Sequence, residues 1–360
     1  MLPRETVPSV DLPGVRRALA IRHRAGGDLL LSTPALRALR AGLPAASIEV
    51  LTARGMGELL LGNPDVDRIL EFDRRSLGSQ AALYARLLRG GYDLVLDMVS
   101  TPRSAWLTAL TRAPIRVGYD LPRRRYAYTH RLPRDVVGAE GPVPRYAAEG
   151  PLDLVRALGI DARGLALNFK VSAPAERRMG EWLAQSGIGA RRPLIACLPA
   201  GSWPSKTWLK ARFIEAMDRL SEAGDILWIW GPGEGRLAEA CRAEMRAPSW
   251  LAPKTGWQDL GALLARASLL VSNDSGPKHL AAALGVPTVT IFGPTHPATW
   301  HPPGGPHTAV SADGLACLHC NETVCPLPGD ANMRCMRDVT VERVIPSCRA
   351  WLRETGERTP

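Results

Sequence analysis

Asp274-Ser275-Gly276-Pro277-Lys278-His279 follows an apolar run, Ala267 to Val271, and leads straight into a Leu- and Ala-rich helix. A strand that stops in small polar residues and turns at once into a helix leaves unpaired backbone N–H groups at the helix start. These carry about half a unit of positive charge, which suits a phosphate or diphosphate. On spacing alone the same residues also fit an ordinary strand–helix unit with Asp274 or Ser275 as N-cap. Lys278 and His279, one turn inside the helix, favour the anion.

Two further loops have related chemistry. Ala200-Gly201-Ser202-Trp203-Pro204-Ser205-Lys206-Thr207-Trp208 is a small-residue loop after a strand, and Lys206 can supply a point charge to a phosphate. In Trp230-Gly231-Pro232-Gly233-Glu234-Gly235, Glu234 can accept hydrogen bonds from a ribose or can simply favour the dipole of a helix start. Near the N-terminus, Ile21-Arg22-His23-Arg24-Ala25-Gly26-Gly27-Asp28 ends another strand. Gly26 and Gly27 let the backbone pass close to a ligand. Asp28 lies at the edge of the sheet, as a base or as a plain N-cap; the dinucleotide pattern G-x-G-x-x-G is absent. Arg123-Arg124-Arg125 is the one clear basic cluster.

The elements that must position these loops alternate between strand and helix almost throughout, which predicts parallel α/β architecture. In the first half, strands are expected at Arg17 to Ile21, Ser47 to Leu51, Arg68 to Phe72, Tyr92 to Met98 and Ile115 to Tyr119. One helix is expected over Leu30 to Leu43. Arg163 to Val171 reads as a linker, after which strands at Leu194 to Leu198, Ile226 to Trp230, Ala267 to Val271 and Thr288 to Phe292 restart the alternation. The pattern predicts a Rossmann-like domain over 1–165, a second over 172–336, a cleft between them, and a C-terminal helix in 337–360 packing back toward the first domain.

Bulk properties narrow the classes. A length of 360 residues accommodates two domains, and 46% hydrophobic with 22% charged residues is ordinary for a globular chain. No apolar run reaches the ~20 residues that span a bilayer, and the first residues do not read as a signal peptide, so a cytoplasmic location is expected. The net charge of +10 calls for anionic partners. With no nucleic-acid-binding signature in the chain, a local acidic ligand or an anionic membrane surface is the better expectation. Only five of the 45 basic residues are lysines, so Lys206 and Lys278 inside motifs carry more information than an arginine would.

Taken together, Ile21-Arg22-x-x-x-x-Gly27-Asp28-x-x-x-x-Thr33-Pro34-Ala35-Leu36, Lys206-x-Trp208 with Phe213, Gly231-x-Gly233-Glu234, and Asn273-Asp274-Ser275-Gly276-Pro277-x-His279-Leu280 through Pro287 form a recognisable set. Gly62-Asn63-Pro64-Asp65-Val66-Asp67 and Arg116-Val117-Gly118-Tyr119 add to it. The set resembles glycosyltransferase family 9, the ADP-heptose:lipopolysaccharide heptosyltransferases, over roughly Ala18 to Val344. The resemblance implies a GT-B fold, with acceptor on the N-terminal domain and sugar nucleotide on the C-terminal one. It also implies inverting heptose transfer from ADP-heptose to a lipid-linked core oligosaccharide without a catalytic metal. Under it Asp28 is the base, Lys206 binds phosphate, and Glu234 and Asp274 bind nucleotide. Three positions depart from the family pattern: Arg24 where Gly is usual, Gly26 where an aliphatic residue is usual, and Lys278 where Met is frequent.

The chemistry of the residues agrees. Inverting transfer needs one base on the acceptor hydroxyl, which Asp28 can be, and positive charge at the departing diphosphate. Ser275, Gly276, Pro277, Lys278 and His279 at the helix start, with Lys206, can provide that charge. Gly26, Gly27 and the arginines 123–125 are the candidate acceptor contacts, and the acceptor predicts peripheral attachment at the inner leaflet. Cys317-x-x-Cys320, Cys325 and Cys335 have zinc-like spacing at one end; a four-cysteine structural zinc or iron–sulfur site is one reading, a loop of reduced thiols the other. The competing functions are a UDP-sugar epimerase-like or hydrolytic enzyme on the same fold, and a non-catalytic binding or scaffold relic.

Overall fold

The structure, a computed structural model, describes residues 12–23, 25–138 and 141–357. Arg24 therefore lies outside the described residues. The chain divides into two compact units, Met1–Lys170 and Val171–Pro360, and the division falls inside the expected linker.

In the first unit the elements run β1 (Arg17–Ile21), α1 (Gly26–Leu30), α2 (Thr33–Gly42), β2 (Ser47–Ala53), β3 (Arg68–Phe72), α3 (Leu77–Arg89), β4 (Leu94–Asp97), α4 (Pro102–Leu110), β5 (Ile115–Tyr119) and β6 (His130–Leu132). A short hairpin, β7 (Val137–Gly138) with β8 (Gly141–Pro142), and α5 (Glu149–Arg156) complete it. The sheet order is β3-β2-β1-β4-β5-β6, parallel throughout. Residues 18–21 of β1 and all of β4 are buried, as expected for strands covered by helices on both faces.

The helix expected over Leu30 to Leu43 is α2, which begins three residues later at Thr33, and a separate short helix, α1, precedes it. Pro34 has no N–H to give the Leu30 carbonyl four residues back, and the Thr33 hydroxyl bonds that carbonyl instead, at 2.7 Å. The chain bends there, and Asp28 sits on the short first piece.

The second unit repeats the topology: α6 (Ala173–Ser186), β9 (Leu194–Leu198), α7 (Lys210–Leu220), β10 (Asp225–Trp228), α8 (Gly235–Glu244), β11 (Ser249–Leu251), α9 (Trp257–Leu264), β12 (Leu269–Asn273), α10 (Gly276–Ala283), β13 (Thr288–Phe292), α11 (Pro297–Trp300), β14 (His307–Ser311), α12 (Arg334–Arg337) and α13 (Val341–Glu357). Its order, β11-β10-β9-β12-β13-β14, is that of the first sheet, again all parallel. The edge strands β6, β11 and β14 are absent from the sequence expectation because His130–Leu132, Ser249–Leu251 and His307–Ser311 are short or polar.

In the C-terminal helix, Val341, Val344, Ile345, Cys348 and Leu352 of α13 join Ile195, Phe213, Trp228 and Val271 in the core of the second unit. Just before α13, the indole N–H of Trp208 donates to the Val339 carbonyl at 2.9 Å, tying the end of the chain to the Lys206 loop.

Candidate active site

In an open parallel sheet the crevice for ligands lies beyond the carboxyl ends of the strands, where the strand order reverses. In the second unit that point falls between β9 and β12. The loop after β9 carries Lys206, and Asp274 follows β12 directly. Asn273 pins the two loops together: its side-chain oxygen accepts the Trp208 backbone N–H and its amide donates to the Pro199 carbonyl, both at 2.9 Å.

Asp274 is buried, with 3% exposure. One of its oxygens accepts from Lys206 Nζ at 2.9 Å and from the Thr295 hydroxyl at 2.7 Å. Its other oxygen accepts from Lys278 Nζ. Burial by itself would raise the Asp274 carboxyl, but the two ammonium groups hold it well below the usual carboxylate range. Three of its acceptor positions are therefore taken by Lys206, Thr295 and Lys278 inside the protein. Lys278 is fully buried and points inward, with its ammonium also 4.5 Å from the Phe292 ring centre. Burial pulls that ammonium down to about 8 against the opposing pull of Asp274. His279 is buried too, and burial followed by the Lys278 charge pushes it well below its ordinary value, so it is neutral.

Lys206 is the outermost of the charged groups, at 8% exposure, with its ammonium 4.0 Å from the Trp203 ring centre and 5.8 Å from that of Trp300. Ser275 Oγ at the start of α10 is buried without a protein hydrogen-bond partner. Gly276 and Pro277 form the first turn of α10. Glu234 accepts the Gly231 N–H at 2.8 Å and so closes its own loop ahead of α8. The cluster is two ammonium groups against one carboxylate beside a helix N-terminus, an environment suited to an anion.

Thr295, Trp203 and Trp300 were not anticipated. The signal for Thr295 was available: Gly293-Pro294-Thr295 follows β13 just as the other small-residue loops follow their strands.

In the first unit the equivalent point lies between β1 and β4. Gly26 and Gly27 are buried in α1, and Asp28 beside them is partly exposed. Ala25 ahead of them takes a φ of 46°, a left-handed conformation that costs a non-glycine residue about 1–3 kcal/mol. The Arg22 guanidinium stands 3.5 Å from Asp28 and is itself anchored on the Met98 carbonyl. At the end of β4, Asp97 is buried, accepts the Val99 and Ser100 N–H groups and the Tyr128 hydroxyl, and is raised by that burial. The arginine cluster divides. Arg124 donates to the Ser100 carbonyl at 2.8 Å, Arg125 makes two hydrogen bonds to Asp120, and Arg123 is exposed with a φ of 64°.

Cys317, Cys320, Cys325 and Cys335 line one pocket, together with Ser205 from the Lys206 loop. All four are free thiols, and among the described residues no three His, Cys, Asp or Glu groups are placed to hold a metal ion. The spacing that suggested zinc gathers the four cysteines around this one pocket. The segment is fastened to the donor-side loops by the Ser205 hydroxyl on the Glu322 carbonyl, at 2.6 Å, and by the Asn321 N–H on the Pro294 carbonyl, at 2.7 Å.

Comparison with known proteins settles the class. The model of glycosyltransferase family 9 (heptosyltransferase) matches residues 80–330. The chain belongs to this family. As a family 9 protein it is a glycosyltransferase, and its paired Rossmann-like units are those of the GT-B fold. Lipopolysaccharide heptosyltransferase 3 of Escherichia coli is 27% identical over 287 residues, covering 77% of this chain and 83% of that protein. Lipopolysaccharide heptosyltransferase 1 of Pseudomonas aeruginosa is 27% identical over 320 residues, covering 86% and 87%. Among solved structures, that of a family 9 glycosyl transferase from Veillonella parvula superposes with a TM-score of 0.82 at 21% identity, over 96% of this chain and 99% of that one. No helix among the described residues is long and apolar enough to cross a membrane.

Proposed function

We propose that the protein transfers heptose from ADP-heptose to a lipid-linked inner-core oligosaccharide, with inversion and without a catalytic metal. The observation that carries this reading is the charge imbalance of the Lys206–Asp274–Lys278 cluster next to the start of α10. A buried excess of one positive charge is costly unless an anion answers it, and the diphosphate of a nucleotide sugar is such an anion. Lys206, the outermost cation, meets the leaving diphosphate. The N–H groups opening α10 and the Ser275 hydroxyl supply further donors. Asp28 takes the proton from the acceptor hydroxyl as it attacks the anomeric carbon, leaving ADP as the departing group.

Arg123, whose side chain is exposed, serves the acidic groups of the acceptor, and the chain's excess of arginine favours contact with an anionic inner leaflet. That contact predicts sedimentation with anionic vesicles at low salt and release at high salt; absence of binding at both would remove the membrane part of the proposal.

Calorimetric titration with ADP, UDP, GDP and CDP, without divalent metal, tests the donor. Preferential binding of ADP that is lost in Lys206→Ala is the expected result. Preference for UDP would overturn the donor assignment, and no nucleotide binding would favour the scaffold relic.

A further inference from the structure

Lys206 and Asp274 alone would make a neutral pair. The excess charge comes from Lys278, at a position where the family pattern frequently has Met. Lys278 is the innermost member: it is fully buried, with its ammonium on the Asp274 oxygen that Lys206 and Thr295 do not use. Its ammonium is enclosed by the Phe292 ring and by Asp274, and so does not reach a bound donor. Asp274 in turn is left holding Lys206 through a single oxygen.

We infer that Lys278 is a positioning residue for donor binding: acting through Asp274, it makes the cluster net positive and so sets the affinity of this site for a nucleoside diphosphate. The inference rests on the donor reading above. It predicts a pH dependence of its own. The charged and titratable groups that face Lys278 are Asp274 from just after β12, Lys206 from the loop after β9, its neighbour His279 on α10, His301 from the end of α11 and His307 from the start of β14. Burial lowers all three histidines, His307 to about 4, so they are neutral above neutral pH. Asp274 stays ionised throughout. Lys278, at about 8, is then the member of this set whose charge changes first as pH rises.

The experiment is the ADP dissociation constant of wild type and Lys278→Met at pH about 7.5 and about 9.5. The terminal phosphate of ADP, with a pKa near about 6, is ionised at both values. Wild type should bind at least about tenfold more weakly at the higher pH, the effect of losing one charge up to about 12 Å from the diphosphate at an effective dielectric of about 20. Lys278→Met should start about tenfold weaker and change little between the two pH values. A variant that binds as wild type does, or that keeps the wild-type pH decline, overturns the inference while leaving the donor reading intact. Wild type that binds no ADP overturns both. Should Lys278→Met not fold, as judged by its thermal unfolding, the wild-type titration decides alone. A decline for ADP with none for uncharged adenosine supports the role, and a flat ADP affinity overturns it.

Discussion

The two units share one strand order and differ at the one place where the fold leaves chemistry open. At the reversal point of the second sheet the charged groups face one another in the interior, with Asp274 bonded to Lys206, Lys278 and Thr295. At the equivalent point of the first sheet Asp28 is partly exposed, and Arg22 approaches it at 3.5 Å. A base must be reachable by substrate, whereas a group that shapes the field around a diphosphate can be sealed in the protein. The same scaffold therefore holds a partly exposed carboxylate in one copy and a buried, multiply bonded one in the other, and only the loops record which is which.

This contrast is broken most sharply by exchanging which carboxylate is removed. Asp28→Ala should lower transfer by about 10²- to 10⁴-fold, the usual contribution of a general base, with ADP affinity unchanged within about twofold. Transfer by the variant at the wild-type rate would end the assignment of Asp28 as base. Its stability should fall by less than about 1 kcal/mol, because a partly exposed ion pair at 3.5 Å contributes little and Arg22 keeps its anchor on Met98. Asp274→Ala should do the opposite to folding. It strands two buried ammonium groups, and breaking a buried pair of this kind costs about 3–5 kcal/mol. Urea unfolding should show the midpoint drop; equal losses for the two variants would mean that the two sites are not divided as described.

Stability against pH sharpens the same division. Lys278 has a folded value of about 8, below its unfolded value of about 10.5. Between these values the unfolded chain holds more protons than the folded one, so stability rises with pH across the window. The Lys278 contribution, read as the difference in unfolding free energy between wild type and Lys278→Met, should therefore grow in favour of wild type from about pH 8 toward about pH 10, while ADP affinity falls over the same range. A difference that stays constant across this window would mean that Lys278 keeps its charge.

The loops that carry these groups were legible in the sequence because each follows an apolar run that ends abruptly in Gly, Ser, Asn or Asp. β1, β3, β5, β9 and β13 have the bounds read from the chain, each being a five-residue run rich in aliphatic or aromatic side chains. The inward turn of Asp274 was not legible. Its partners Lys206 and Thr295 lie 68 and 21 residues away, and only the adjacency of β9, β12 and β13 brings them together. The division among the three arginines was hidden for the same reason: Arg124 is taken by a carbonyl 24 residues away on the loop after β4. The identical order of the two sheets leaves no repeat in the sequence, since parallel βαβ packing constrains the hydrophobic pattern and not the residues.

A smaller effect tests how Lys206 is held. The Trp203 ring beneath its ammonium is worth about 0.5–2 kcal/mol as a cation–π contact. Trp203→Leu should therefore weaken ADP binding by a few-fold up to about 30-fold while leaving the pH dependence due to Lys278 in place. Trp203 bears on Lys206, whereas Lys278 lies against Asp274 and Phe292, so loss of that pH dependence would mean the two lysines are not separable.

The smallest expected effect concerns the arginines of the first unit. Arg125 is exposed and paired with Asp120, so Arg125→Ala should cost less than about 1 kcal/mol of stability. Because its guanidinium is already engaged in two hydrogen bonds, the same change should move the acceptor KM little. Arg123→Ala removes a side chain that is exposed at a left-handed turn, and it should raise the acceptor KM several-fold without touching ADP affinity. If the two variants behave alike in acceptor kinetics, internal pairing does not decide which arginine meets the substrate. The acceptor's negative charge is then read by the field of the whole loop, and all three arginines would have to be neutralised together before KM responds.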